Sequence, residues 1–333
     1  MADYIIGVDI GATKSHLALF DTEGTLLELG HWGPLNHEVM PGSFTQFEQE
    51  FGQFFSDVIT KHGVSKSQIA YSVLGVGGVD TKKQHSIISQ ILKKLGMDKF
   101  TLVNDAYLGI PAGNSSGSGT GICAINGSGC TLAGINSKGN MLQIGGVGAL
   151  SADMGGGGYM GDRVLSAVYS ELFRKGEATL MTELLLKKAG ITSKYDFVEI
   201  IQEKSADNSF SIRACNQMVF EAAAQGDKLA IGIILDMSAN YSGGIQCMIE
   251  ELQFSKQEDL YIIFAGSVFV KGEHPLLLDS LELTISKSNP GHNIKFIKLD
   301  MPNVAGAIVW ALNHIHGKNS LYDKVCTQLR QAK

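Results

Sequence analysis

The sequence predicts an α/β protein built as two similar lobes that face one another, and three observations predict it. An apolar run, a glycine-bearing polar turn and a second apolar run open the chain as a hairpin, YIIGVDIGATKSHLALFDTEG over residues 4–24. The pattern returns 115 residues later as GICAINGSGCTLAGINSKG, setting Ile10 on Ile125, Thr13 on Ser128, Leu17 on Leu132, Asp21 on Asn136 and Gly24 on Gly139. Two matches at one offset argue for an internal duplication. β-rich and helical runs also alternate along 333 residues, a length that favours two domains.

The first lobe reads β-β-β-α-β-α-β. After the hairpin, Leu26–Trp32 is a third extended piece, followed by the loop Gly33-Pro34-Leu35-Asn36-His37. Phe44, Phe47, Phe51, Phe54, Phe55, Val58 and Ile59 recur at three- and four-residue steps, which predicts an amphipathic helix over 43–62. Ser43 is its expected N-cap, and Gly63 lies just past its end. A strand over 70–76 closes in Gly75-Val76-Gly77-Gly78-Val79-Asp80, and a helix over 84–95 and a strand over Phe100–Val103 follow. The stretch PAGNSSGSGTG, 111–121, suits a linker or a hinge. It sets the expected boundary, with residues 1–112 as the first lobe and 113–333 as the second.

Past the second hairpin, the densest glycine run spans 145–161. Helices are expected over 161–175, 178–189, 195–204, 211–225 and 228–252, the last capped by Asp227 and close-packed at Gly243-Gly244. A strand over 260–264 opens into Gly266-Ser267, another covers 294–299, and Pro302 starts a final helix over 303–315, free to pack back on the first lobe.

The net charge of −6 and the few basic runs argue against nucleic acid as a main partner. The uncharged segment 106–137 is broken by Gly, Ser, Asn and Thr too often to span a membrane. With no charged-then-apolar leader, the expected address is cytoplasmic. Five scattered cysteines without a CxxC read as reduced thiols.

No GxxxxGK[ST] occurs, and neither Gly75-Val76-Gly77-Gly78 nor Gly117-Ser118-Gly119-Thr120-Gly121 has the GxGxxG spacing of a dinucleotide site. What remains is a pair of Gly/hydroxyl turns, around Thr13 and Ser128, whose N–H groups and hydroxyls suit a polyphosphate. Asp105 follows a strand, where α/β sheets hold ligands, and can take the proton of an attacking hydroxyl. Asn104 or Asp105 equally suits an N-cap for the turn 106–110. Asp9 suits the water shell of Mg²⁺, which takes few protein carboxylates. Lys14 suits phosphate charge or a solvated turn. Asn36, Asp80 and Asp153 lie in glycine-flanked loops and suit a polyhydroxylated substrate or simple turn stabilisation.

Together, Val8-Asp9-Ile10-Gly11-Ala12-Thr13-Lys14, Asn104-Asp105-Ala106, Asn126-Gly127-Ser128-Gly129-Cys130 and Phe264-Ala265-Gly266-Ser267-Val268 resemble the sugar kinase, Hsp70 and actin superfamily. Pro34-Leu35-Asn36-His37, Gly75-Val76-Gly77-Gly78-Val79-Asp80, Gly145-Gly146-Val147-Gly148 and Ala152-Asp153-Met154-Gly155 are similar to its N-acetylglucosamine kinase and BadF/BadG ATPase branch, across nearly the whole chain. The resemblance implies two ribonuclease-H-like lobes, a duplicated actin-like ATPase fold, around a central cleft for ATP and sugar. It implies γ-phosphate transfer to the 6-hydroxyl of an amino sugar such as N-acetylglucosamine or N-acetylmuramic acid, with Asp105 as base and Mg²⁺ near Asp9. Gly11, Thr13, Lys14, Ser128, Gly129, Gly266 and Ser267 are then expected on ATP. Asn36, Gly78, Asp80, Asp105, Cys130, Thr131, Gly146, Val147 and Asp153 are expected on the sugar, and the expected assembly is a homodimer.

The chain departs from animal members at Val147 and Ala149, where they carry Trp and His, and from the usual family pattern at Met154, in place of a glutamate, and at Cys130, in place of a common serine. The wall against the sugar is thus smaller and less polar, which suits a substituent at its 3-position. Two rival functions belong to other classes. One is an ATP-driven activator of a dehydratase or reductase holding an iron–sulfur cluster, and the other is a sugar-sensing regulator, for which a DNA-binding segment is missing before Tyr4.

Overall fold

The computed structural model describes residues 3–272, 274–317 and 321–332, and two five-stranded sheets form its frame. In the first, β1 (Tyr4–Ile10), β2 (Ser15–Asp21) and β3 (Leu26–Trp32) form an antiparallel meander. Tight turns permit this, whereas β4 (Ile69–Val76) and β5 (Phe100–Val103) run parallel to β1 and need crossovers. Helices α1 (Ser43–Lys61) and α2 (Lys82–Lys94) supply them. The order is β3-β2-β1-β4-β5.

The second sheet repeats the plan. β6 (Gly121–Asn126), β7 (Cys130–Ile135) and β8 (Met141–Gly145) form the meander, and β9 (Asp259–Ala265) and β10 (Asn293–Lys298) pair in parallel on the other side of β6. Read from β8 the order is β8-β7-β6-β9-β10, strand for strand that of the first sheet. The duplication inferred from the 115-residue offset is therefore one of whole sheets.

Helix α1 buries the predicted stripe, Phe47, Phe51, Phe54, Phe55, Val58 and Ile59. Its N-cap is Gly42 and not Ser43, because the Gln46 side chain reaches back to accept the Gly42 N–H at 2.9 Å and Ser43 begins the helix. Its end is as expected: Gly63 at φ +63° lets Val64 N–H reach Ile59 O and Gly63 N–H reach Thr60 O. Helix α2 starts two residues earlier than its apolar spacing suggests, since Thr81 and Gln84 close a capping box.

A short 3₁₀ turn (Asp105–Leu108) and α3 (Gly109–Gly113) lead to the second lobe. There, α4 (Gly156–Arg174), α5 (Leu180–Ala189), α6 (Phe197–Ala206), α7 (Asn216–Ala224) and α8 (Lys228–Glu251) form the crossover between β8 and β9. Asp227 caps α8 as expected, accepting Ala230 N–H at 2.9 Å. Gly244 has the packing reason expected of it, since a Cβ there would lie 2.3 Å from Leu132, whereas Gly243 faces open space. Beyond β9 come α9 (Ser267–Lys271), α10 (Leu276–Ser288), α11 (Val304–His316) and α12 (Tyr322–Gln331).

Helix α11 decides how the two sheets sit together. One apolar core joins Ile5, Ala18 and Val73 of the first sheet to Cys123, Ala133 and Ile263 of the second through Val304, Ala307, Ile308 and Leu312 of α11. The approach is closest at Gly306, where an added Cβ would stand 1.8 Å from Leu108 O. Among the described residues no helix is long and apolar enough to cross a membrane.

Candidate active site

Three strand ends bring the acidic groups together. The register sets Asp9 of β1 beside Gly75 of β4, and Gly75 beside Val103 of β5. Asp105 follows two residues past Val103. Gly77 separates two polar side chains: a Cβ on it would lie 3.4 Å from Asn36 Nδ2 and 3.6 Å from Asp105 Oδ2. The capping alternative is resolved in favour of Asn104, whose Oδ1 accepts Ala106 N–H at 2.9 Å. Asn303, at the start of α11, donates to Asp105 O at 2.8 Å and more loosely to Asp9 Oδ1 at 3.4 Å. Asp9 Oδ2 also lies 3.6 Å from His16 Nδ1.

Burial pushes the Asp105 carboxyl up to about 8, and the neighbouring charges of Asp9 and Asp80 push in the same direction. Asp80 is raised to about 6, again mainly by burial, with Glu38 and Asp153 adding to the shift and hydrogen bonds from Gln143 and Asn104 opposing it. Asp80 Oδ1 accepts Asn104 Nδ2 at 2.9 Å and, from the other lobe, Gln143 Nε2 at 2.6 Å.

The remaining sugar candidates surround this crossing. Gly146 lies between Asp80 and Thr131, since its Cβ would fall 3.0 Å from Asp80 Oδ1 and 3.1 Å from Thr131 Oγ1. Asp153 Oδ2 accepts the N–H groups of Gly146 (3.0 Å) and Gly148 (2.9 Å), so it shapes the glycine loop. Gly78 adjoins Asn36, whose Oδ1 accepts Glu38 N–H at 2.8 Å. Val147 is exposed. Cys130 is buried, with its Cβ packed toward Gly155. The chain thus gathers Asn36, Gly78, Asp80, Asp105, Thr131, Gly146 and Asp153, while Cys130 turns into the core.

The two hairpin tips differ. In the first, Gly11 N–H meets Lys14 O at 3.1 Å, leaving Thr13 and Lys14 exposed. In the second, Gly127 N–H meets Gly129 O at 3.0 Å around Ser128. That tip is clamped by the start of α4, with Gly156 N–H on Asn126 Oδ1 at 2.7 Å and Gly157 N–H on Gly127 O at 2.8 Å. Gly266, at φ +88°, packs on the same tip, as its Cβ would lie 2.4 Å from Asn126 O. Ser128, Gly129, Gly266 and Ser267 are thereby neighbours. A cavity of about 710 Å³ opens from Ser267 between α7 and α9, lined by Asn216, Gln217, Phe220, Val268 and Lys271. Among the described residues no hydrogen bond joins the two tips.

Sequence reasoning missed Gln143 and Asn303. The signal for Gln143 was the offset itself, since Leu26 plus 115 falls on Met141, where β8 starts. Asn303 carried no comparable signal. Among the described residues no three His, Cys, Asp or Glu side chains converge as a metal site.

Comparisons with known proteins give the family and the fold. Residues 6–311 match the BadF/BadG/BcrA/BcrD ATPase family. The N-acetyl-D-glucosamine kinase of Dictyostelium discoideum is 24% identical over 319 residues, covering 93% of this chain and 98% of the relative. The N-acetylmuramic acid/N-acetylglucosamine kinase of Clostridium acetobutylicum is 23% identical over 309 residues, covering 92% and 98%. Among solved structures, a Chromobacterium violaceum protein assigned as an N-acetylglucosamine kinase superposes with a TM-score of 0.68 at 18% identity, covering 93% of this chain and 99% of its own. That last likeness speaks to the fold.

Proposed function

Because the chain belongs to the BadF/BadG/BcrA/BcrD ATPase family, we propose that it is an ATP-dependent kinase of amino sugars. It transfers the γ-phosphate to the 6-hydroxyl of N-acetylglucosamine or a related N-acetylhexosamine such as N-acetylmuramic acid. The observation that carries the reading is Asp105, a carboxyl of raised proton affinity at a strand end, beside Asn36 and Gly77. The full-length similarity to two kinases of these sugars supports the substrate class.

In this mechanism the ionised Asp105 accepts the 6-hydroxyl proton as the hydroxyl oxygen attacks the γ-phosphorus and ADP leaves. Asn36, Gly78, Asp80, Thr131 and Gly146 orient the sugar ring. Val147 forms a small apolar wall, and Asp153 acts through the loop it shapes. Ser128 and Gly129, with Gly11, Thr13 and Lys14 opposite, hold the phosphates, and Gly266 and Ser267 lead the adenosine into the neighbouring cavity. Asp9, held only loosely by Asn303 and His16, has oxygens available to the waters of Mg²⁺, which when bound offsets phosphate charge. The protein works in the cytoplasm as a homodimer, its lobes divided at residues 112 and 113.

The iron–sulfur alternative finds no support in the cysteines. Cys123, Cys130, Cys215 and Cys326 are buried and Cys247 is exposed, so a cluster held between subunits would have one surface thiol per chain to draw on. The test is ADP release from ATP with N-acetylglucosamine, N-acetylmuramic acid, glucosamine, N-acetylmannosamine and glucose. Phosphorylation of an N-acetylhexosamine is the expected result, and silence on every sugar would overturn the reading.

A further inference from the structure

We propose that Gln143 is a positioning residue for sugar phosphorylation: from β8 of the second lobe it donates across the cleft to Asp80 and holds that carboxylate in place for a sugar hydroxyl. The inference rests on the kinase reading above. Asp80 leaves the first lobe just before α2, and two amides from distant parts of the chain meet its Oδ1, Asn104 Nδ2 at 2.9 Å and Gln143 Nε2 at 2.6 Å. The Asn104 amide cannot turn over, because its Oδ1 is taken by Ala106 N–H. Its NH₂ must therefore face Asp80, and Oδ1 is held from both lobes. A carboxylate accepts at about four lone-pair positions, so Oδ2 remains available to a hydroxyl donor.

The site is built for this crossing. Gly146 has φ +97°, and a side chain there would fall 3.0 Å from Asp80 Oδ1 and 3.4 Å from Gln143 Nε2. Glycine lets the second-lobe backbone pass alongside the clasp. The charged neighbours that disfavour the ionised form of Asp80 are Glu38 from the loop before α1 and Asp153 from the glycine loop, while Asp80 itself raises the proton affinity of Asp105 after β5. Asn104 and Gln143 oppose them as donors. Asp105 in turn faces Asp9 of β1 and Cys123 of β6.

The test is steady-state kinetics of Gln143→Leu and Gln143→Glu from pH 5 to 9, with melting temperatures as a control on folding. Gln143→Leu should raise KM for the sugar roughly tenfold, with a smaller change in kcat and an unchanged KM for ATP, the loss expected for one ligand-orienting hydrogen bond. It should also shift the acidic limb of kcat/KM to higher pH. In Gln143→Glu a carboxyl faces Asp80 and the pair shares one proton, so kcat/KM relative to wild type should be best preserved at low pH and fall as pH rises and that proton is lost. Wild-type KM and pH profiles in both variants would overturn the inference while leaving the kinase reading intact. If Gln143→Leu does not fold, the pH profile of Gln143→Glu decides. A wild-type enzyme that phosphorylates no sugar removes both.

Discussion

The proposed mechanism concentrates the chemistry in one side chain, Asp105. Replacing it by Asn removes the proton acceptor and keeps the shape, so turnover should drop by about 10³-fold or more, with ATP affinity retained in a nucleotide-binding titration. Unchanged turnover would remove the residue from its role. The same raised proton affinity has a sign for stability. Burial pushes the folded carboxyl up to about 8, from the 3.8 ordinary for an exposed aspartate. Between these values the folded state binds the extra proton, so the contribution of Asp105 to stability is full below pH 4 and is lost as pH rises toward 8. The slope is at most about 1.4 kcal/mol per pH unit for one proton. Melting curves at pH 5 and 8.5 should therefore show a larger loss for wild type than for Asp105→Asn. Asp105 could be named from the sequence because it follows a strand at the end of a short β run. Its proton affinity could not, since Asp9 and Asp80 come from 96 and 25 positions away in the chain and only the sheet register makes them neighbours.

The two hairpins show how far one element can be carried to the next. β1–β2 and β6–β7 match in sequence, and their sheets match in strand order, yet their tips differ by one residue. Ile10 pairs with Ser15, while Ile125 pairs with Thr131. The second tip is fixed by Gly156 and Gly266, whereas the first is exposed. Thr13→Ala and Ser128→Ala should each raise KM for ATP about 5- to 20-fold without moving KM for the sugar, as losing a hydroxyl contact to a charged phosphate predicts. No change in either variant would undo the shared cradle. Three elements were not legible in the chain. Strand β8 is short, half exposed and followed by glycines; α10 begins with an unbroken Leu276-Leu277-Leu278 that masks its periodicity; and α12 carries its apolar residues at Val325, Cys326 and Leu329 beyond the last helix the pattern suggested.

The lobes meet along α11, which belongs late in the sequence and packs on the earliest strand. At Gly306 its backbone touches Leu108, just after Asp105, and three residues earlier Asn303 holds the Asp105 carbonyl. Gly306→Ala would place a carbon 1.8 Å from Leu108 O, so the helix must shift. The expected cost is about 3 kcal/mol or more, read as a lowered melting temperature, together with a fall in kcat because the support under Asp105 moves. A variant with wild-type stability and turnover would show that α11 does not set the geometry of the site. By itself the sequence determined the α/β class, the duplication, the two hydroxyl-bearing tips and the carboxylate after β5, since each is written in local periodicity or in a repeated spacing. Only the tertiary structure decided that Asp80 is held from both lobes, that Asn303 lies beneath Asp105 and that Cys130 turns inward. Those facts depend on which distant backbones approach, and the approach is set by glycines whose missing side chains leave no periodic mark in the chain.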